Sequence, residues 1–199
     1  RSVACFSAIC ADDYEYLGVP DPSLGSTYEH CGEIVRRADA LGYGNILLPS
    51  AWIPGQDALA FAAAMAVQTR QINQLVALRM GEVWPPMLAR AIATVDHMAK
   101  GRLAINIISS DLPGKREDNE VRYARSREVI QILKEIWKRE GPLEWKGRFF
   151  DFVLPDCSPG RPFQGTGGPL LYFGGISPMA QALCAEFCDL HDIESEAGF

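Results

Sequence analysis

Leu170-Leu-Tyr-Phe-Gly-Gly-Ile-Ser-Pro-Met-Ala180 runs from an apolar stretch through two glycines into Ser, Pro and a helical pattern. The order predicts a strand that feeds a helix N-terminus. Ser177 is a good N-cap, and Pro178 suits the first helical position, where a missing N–H costs nothing. Gly174 and Gly175 leave out side chains just where a ligand would approach the backbone. The free N–H groups and the positive end of the helix dipole there suit an anion such as a phosphate. Two glycines between a strand and a helix are also ordinary turn chemistry, so the anion reading needs support from elsewhere in the chain.

Working outward, the same unit repeats. Residues 3–9 read as a short buried strand, and the Asp-, Gly- and Pro-rich residues 12–25 as a long loop. Ser26-Thr-Tyr-Glu29 has the form of a capping box, opening a helix with Ile34, Val35, Ala38 and Leu41 at core spacing and Gly42 at its end. Residues 45–48 form the second strand; after a loop, Asp57 caps an alanine-rich helix ending near Thr69. Residues 72–78 are a third strand and 79–84 a loop, with Pro85-Pro86 starting a helix that Gly101 ends. Residues 103–108 are a fourth strand, apolar except for Asn106, the pattern of a strand buried on both faces with one polar group inside. A charged loop, 111–119, leads to an amphipathic helix carrying Val129, Ile130, Leu133, Ile136 and Trp137. Residues 144–152 alternate around Lys146-Gly147 and predict a hairpin, followed by a Pro- and Gly-rich linker to the fifth strand at Leu170, a helix from 177 to about 187, and a last fragment, 189–199. Strict alternation of strand and helix means a parallel α/β sheet with right-handed crossovers, either doubly wound or a barrel.

A chain of 199 residues, 48% hydrophobic and 22% charged, has the balance of one soluble domain with a sizeable core. Its net charge of -6 argues against nucleic acid or an anionic membrane surface as a partner. No apolar run reaches the roughly 18 residues of a membrane helix, and the N-terminus lacks a basic region ahead of a long apolar core, so a cytoplasmic protein is expected. Cys5, Cys10, Cys31, Cys157, Cys184 and Cys188 show no paired spacing, which favours free thiols. Cys184 and Cys188 are one helical turn apart, but no His or further Cys pair stands near to complete a zinc site, and no metal is expected.

In either architecture ligands bind beyond the carboxyl ends of the strands, which here gather residues 50–57, 79–84, 109–113 and 174–177. This mouth holds no Ser-His-Asp set and no pair of carboxylates with an acid/base division. His30 and His97 fall within helices and His191 beyond the last clear element. A cofactor that brings its own chemistry fits such a mouth better than a protein nucleophile. Asp57 reads equally as a helix cap, and Arg122 and Tyr123 as a solvated face. Asn106 favours a ligand or a neighbouring strand end as the partner of its amide.

Several stretches together resemble the bacterial luciferase-like flavin monooxygenases, most closely the alkanesulfonate monooxygenase branch. They are Ala38-Asp-Ala-Leu-Gly-Tyr43, Asp57 with its helix, Leu88-Ala-Arg-Ala-Ile-Ala-Thr-Val-Asp-His-Met-Ala-Lys-Gly-Arg-Leu-Ala-Ile-Asn-Ile-Ile108, Arg122-Tyr-Ala-Arg-Ser-Arg-Glu128, Trp145-Lys-Gly-Arg-Phe-Phe150 and Pro169-Leu-Leu-Tyr-Phe-Gly-Gly-Ile-Ser177. The resemblance covers residues 28–189 in family order. It implies a TIM (β/α)8 barrel of which the chain covers about the first five to six βα units. It also implies reduced FMN (FMNH2) delivered by a separate flavin reductase, and O2 activation that cleaves a carbon–sulfur bond of an alkanesulfonate or related organosulfur substrate. Carried over by position, Asp57, Asn106 and Tyr123 resemble flavin contacts, Ser109 the strand end facing them, and Gly175, Ile176 and Ser177 the phosphate cradle. A deazaflavin (F420) oxidoreductase and a non-catalytic flavin-binding member of the fold are the alternatives.

The chain departs from that pattern in two ways. Trp52-Ile-Pro-Gly-Gln56 lacks the cysteine the branch often carries, and Ile9-Cys10 stands where a His is common, which leaves the substrate open. Five barrel strands also leave sheet edges unpaired. Further chain or a partner is expected to close them, together with a basic residue for the sulfonate from the later units, and a homo-oligomer, dimer or tetramer, is expected.

Overall fold

A computed structural model describes residues 4–6, 9, 26–50, 55–112 and 114–192. The predicted long loop, Cys10, most of the loop before Asp57 and the fragment beyond 192 lie outside the described residues. Six strands form one sheet: β1 (Ala4–Phe6), β2 (Asn45–Leu48), β3 (Asn73–Arg79), β4 (Leu103–Ile108), β7 (Leu170–Gly174) and β8 (Leu190–Asp192). All neighbours pair parallel and in chain order, β1-β2-β3-β4-β7-β8. A doubly wound sheet reverses its strand order at one point. This one does not, so it is the wall of a barrel. The three-residue β8 is too short to have shown a pattern in sequence.

Helices α1 (Tyr28–Ala40), α2 (Ala58–Ala66), α3 (Pro85–Ala99), α4 (Asn119–Lys138) and α5 (Pro178–Phe187) follow the strands and pack each on the next. Their apolar stripes cover one face of the sheet, burying Ile46, Leu48, Val76, Ile105, Leu171 and Phe173. The other face, the inside of the barrel, carries Leu47, Leu75, Ala77, Asn106 and Tyr172 in register across the strands. The expectation that the fourth strand is buried on both faces is therefore corrected: its side chains alternate between buried and half-buried from Ile105 on, because helices stand on one side only. The five described cysteines are free. No described helix is long and apolar enough to cross a membrane.

Two boundaries move by one residue. Thr27, not Ser26, caps α1, accepting from the N–H of His30 at 3.2 Å, so no capping box with Glu29 forms. β3 runs to Arg79, which turns that residue from a loop arginine into one aimed along the sheet's inner face.

Buried charges fasten the loops. Asp39 accepts from the N–H groups of Arg70, Gln71 and Ile72 at 3.0, 2.9 and 2.8 Å, fixing the turn into β3. Next to it Arg102 donates to the carbonyls of Ala66, Thr69 and Ile72 and to Thr69 Oγ1. Burial pushes the Asp39 carboxyl up, but its three N–H partners and Arg102 outweigh burial and hold it below the ordinary aspartate range.

The hairpin appears as predicted, with β5 (Leu143–Lys146) antiparallel to β6 (Asp151–Leu154). Its anchor is Glu128, a buried carboxylate of α4 that accepts from the N–H groups of Arg148, Phe149 and Phe150, each at 3.0 Å, and from Trp145 Nε1 at 3.2 Å. A Cβ on Gly147 would stand 1.8 Å from Glu128 Oε1, so only glycine lets the turn close on the carboxylate. Trp84 then meets Phe150 and Phe152 edge-on, at 5.6 and 5.8 Å.

Because the folded pKa of Asp39 lies below its unfolded value, its contribution is complete above about pH 4 and is lost as pH falls through the folded value. Asp39→Asn should melt below wild type at neutral pH, and the gap should narrow on acidification. A gap independent of pH would contradict the charged cap. Glu128→Gln should cost about 2 kcal/mol through weakened charge-assisted bonds and speed amide exchange at residues 148–150. Exchange unchanged there would mean that the aromatic contacts alone hold the hairpin.

Candidate active site

The carboxyl ends of β3, β4 and β7 and the N-termini of α4 and α5 meet at one mouth. β7 ends in Gly174, the chain turns at Gly175 with φ +133°, and Ser177 caps α5 by accepting from the N–H of Ala180 at 3.2 Å. A Cβ on Gly175 would lie 3.0 Å from that of Ala180, so the tight turn needs glycine for its dihedral and for its space. Gly174 to Met179 are exposed, Ile176 to 62% despite its apolar side chain. The N–H groups of Ile176 and Ser177 donate to no described residue. This is an uncovered helix N-terminus with donors free, as an anion requires.

Tyr123, on the second turn of α4, places its hydroxyl 3.4 Å from Ser177 Oγ and packs its ring on Phe173 at 6.1 Å. Arg122 beside it is no solvated arginine: it bonds Asn119 and lies 3.6 Å from Asp111. Asn106 is on β4, in register with Ala77 of β3 and Tyr172 of β7. It is half-buried rather than fully interior, and its amide bonds to no described residue. A neighbouring strand end does not satisfy it, which leaves a ligand. Ser109 is committed to its own scaffold, donating to the buried Ser126 at 2.7 Å, and joins the end of β4 to α4.

The structure thus brings Asn106, Ser109, Tyr123, Gly175, Ile176 and Ser177 around β4 and β7. Asp57 is not joined to them: its Oδ1 caps α2, accepting from Ala60 N at 2.7 Å, and the residue is exposed. The sequence reading missed Arg79. Its guanidinium is buried at the end of β3, where Nε donates to Ser110 Oγ at 2.8 Å and Nη1 to Glu82 Oε1 at 2.7 Å and, more loosely, to Ser50 Oγ at 3.5 Å. A strand boundary one residue later would have revealed it. On the loop after β4, Lys115 and Arg125 hold the Glu117 carboxyl below its usual range. An apolar hollow of about 420 Å³ lined by Cys5, Ile34, Ala38, Leu41 and Tyr43 is a different place. Cys5 pairs in register with the helix-facing Ile46, so the hollow lies outside the barrel.

The paired requirements of this mouth, donors for an anion at α5 and a free amide beside two tyrosines some way along the same strands, fit a flat polar ring carrying a phosphate. FMN has that form. No titratable pair in the mouth supplies acid/base chemistry of its own.

Residues 15–191 match the family described as luciferase-like monooxygenase. A sulfoquinovose monooxygenase of Agrobacterium fabrum is 52% identical over 95% of this chain and 49% of its own length. Another of the same name, from Novosphingobium aromaticivorans, is 47% identical over 95% of this chain and 53% of its own length. The chain therefore spans about half the length of the curated relatives it matches. Among solved structures, the oxygenating constituent of 3,6-diketocamphane monooxygenase from Pseudomonas putida, in complex with FMN, shares the fold at TM-score 0.68 and 23% identity over 80% of this chain and 49% of that one. An F420-dependent secondary alcohol dehydrogenase shares it at TM-score 0.72 and 17% identity over 96% and 57%. With a family match across most of its residues and a sheet wound as a barrel wall, the chain belongs to the luciferase-like monooxygenase family.

Proposed function

We propose that the protein is the cofactor-holding part of a flavin-dependent monooxygenase that oxidises a sulfonate, using reduced FMN supplied by a separate reductase. The observation that carries this is the pairing of an open α5 N-terminus with the unpartnered Asn106 amide on the inner face of the same sheet. The N–H groups of Ile176 and Ser177, with the Tyr123 hydroxyl, would hold the phosphate. Asn106 can donate and accept at once, which suits the polar edge of the ring. Bound reduced flavin supplies the electrons that activate O2, and the side chains of this mouth orient it and keep one face against the barrel wall.

A sulfonated sugar such as sulfoquinovose is the first substrate to test, with simple alkanesulfonates second, because two relatives at 52% and 47% identity carry that name. FMN is preferred over a deazaflavin because oxygenation needs a reduced flavin that reacts with O2. We infer a soluble cytoplasmic enzyme that works as a homo-oligomer.

Purified protein given FMN, a flavin reductase, NADH, O2 and a panel of sulfonates should release sulfite, most readily from sulfoquinovose. Sulfite from none of them, with FMN bound, would favour a non-catalytic flavin carrier. Ser177→Asp should abolish tight FMN binding by setting a carboxylate against the phosphate, while Ser177→Ala should lose only a capping-scale interaction, about 1 kcal/mol. Equal FMN affinity of the Asp variant and wild type in a fluorescence titration would remove the phosphate site.

A further inference from the structure

Arg79 stands on the inner face of the barrel wall, one strand from Asn106 and two residues nearer the mouth, opposite Ile108 in register. Only 3% of its side chain is exposed. A buried arginine is normally held by as many acceptors as its fork can reach, as Arg102 is: there Nη1 and Nη2 each meet two acceptors, and three of the four are backbone carbonyls. Arg79 is held differently. Its partners are two serine hydroxyls and one carboxylate, with no backbone carbonyl among them. Its Nη2 bonds to no described residue and, unlike Nη2 of Arg125, is not sealed from solvent. The partner carboxylate, Glu82, is three residues on in the turn after β3 and a third exposed. It therefore has water to swing into.

We propose that Arg79 is an anion-recognition residue of this mouth, receiving the sulfonate of the substrate on its open Nη2, with Glu82 as the resident carboxylate that the sulfonate displaces or crowds. The proposal rests on the sulfonate reading above and names a residue for it. The chemistry suits a tetrahedral oxyanion: a planar guanidinium keeps its charge at any working pH and offers parallel N–H donors to two oxygens, and Ser50 and Ser110 add hydroxyls at its rim. Its position across the wall from the α5 N-terminus separates the two anions, phosphate and sulfonate, by the width of the intervening strands. Glu82 makes the site selective, since a neutral analogue gives the enzyme no reason to part the Arg79–Glu82 pair.

The two side chains therefore predict shifts of opposite sign, which a purely structural clamp would not produce. Protein expressed from its own gene is saturated with FMN and titrated calorimetrically with ethanesulfonate, as wild type, Arg79→Lys and Glu82→Gln. Removing the competing carboxylate should tighten ethanesulfonate about five-fold, and replacing the fork by an ammonium should weaken it about ten-fold. The KM for sulfite release should move in the same two directions. Weaker binding in both variants, or no change in Glu82→Gln, overturns the proposal, and because Glu82 is partly exposed its variant decides even if Arg79→Lys fails to fold. Should wild type bind ethanesulfonate with these shifts yet release sulfite from no sulfonate, the oxidation reading fails and the subsite stands. Sulfite release without the shifts has the reverse meaning.

Discussion

Parallel strands in chain order, each joined to the next by a right-handed crossover, must carry all their helices on the same side. The inner face of this sheet is left without a helical layer for that reason, and every feature of the candidate site follows from it. Side chains that a doubly wound sheet would bury among helices instead look into the barrel: Asn106 with a free amide, Tyr172 half-buried, Arg79 with an open Nη2. The loops at the carboxyl ends of the strands then face one space, where α5 presents its N-terminus and Tyr123 of α4 leans over Ser177. Position on the sheet decides what each polar residue is for.

The charged residues sort by end of the strand. Asp39, Arg102 and Asp96 all work at the amino ends: Asp39 on residues 70–72, Arg102 on the end of α2, and Asp96 on Gln164, whose side chain also reaches Leu103 O. Residues at that end of a barrel serve stability, and those at the other end serve chemistry. Most of the sequence stretches that carry the family resemblance therefore hold the wall together. Glu128 and Gly147 do the same on the outside, since they bring two of those stretches, 122–128 and 145–150, into contact. A carboxylate that serves three N–H groups, as Asp39 and Glu128 each do, fastens a whole turn with one side chain.

The strand–helix alternation was legible because its signals are local: Pro178 and Ser177 at one helix start, Asp57 at another, glycines at the ends. Asn106 was legible as a polar break in an apolar strand, although how far it is buried was not, because that depends on which face the helices leave open. Arg79 was not, since a strand end that reads one residue short turns an inward arginine into a loop residue. Glu128 was hidden for another reason. A carboxylate on an amphipathic helix looks solvated until the hairpin that covers it, some twenty residues on, is placed. Thr27 against Ser26 shows the same limit at smaller scale, as two adjacent hydroxyls compete for one cap and only the backbone dihedral selects between them.

The central claim is that one sheet face holds both ends of a flavin, phosphate at α5 and ring beside Asn106. A crystal structure of the protein with FMN tests this most directly. The account predicts phosphate oxygens about 2.7–3.2 Å from the backbone nitrogens of Ile176 and Ser177, and the Asn106 amide hydrogen-bonded to the ring. A phosphate bound elsewhere, or an Asn106 still without a partner beside a bound flavin, would contradict it.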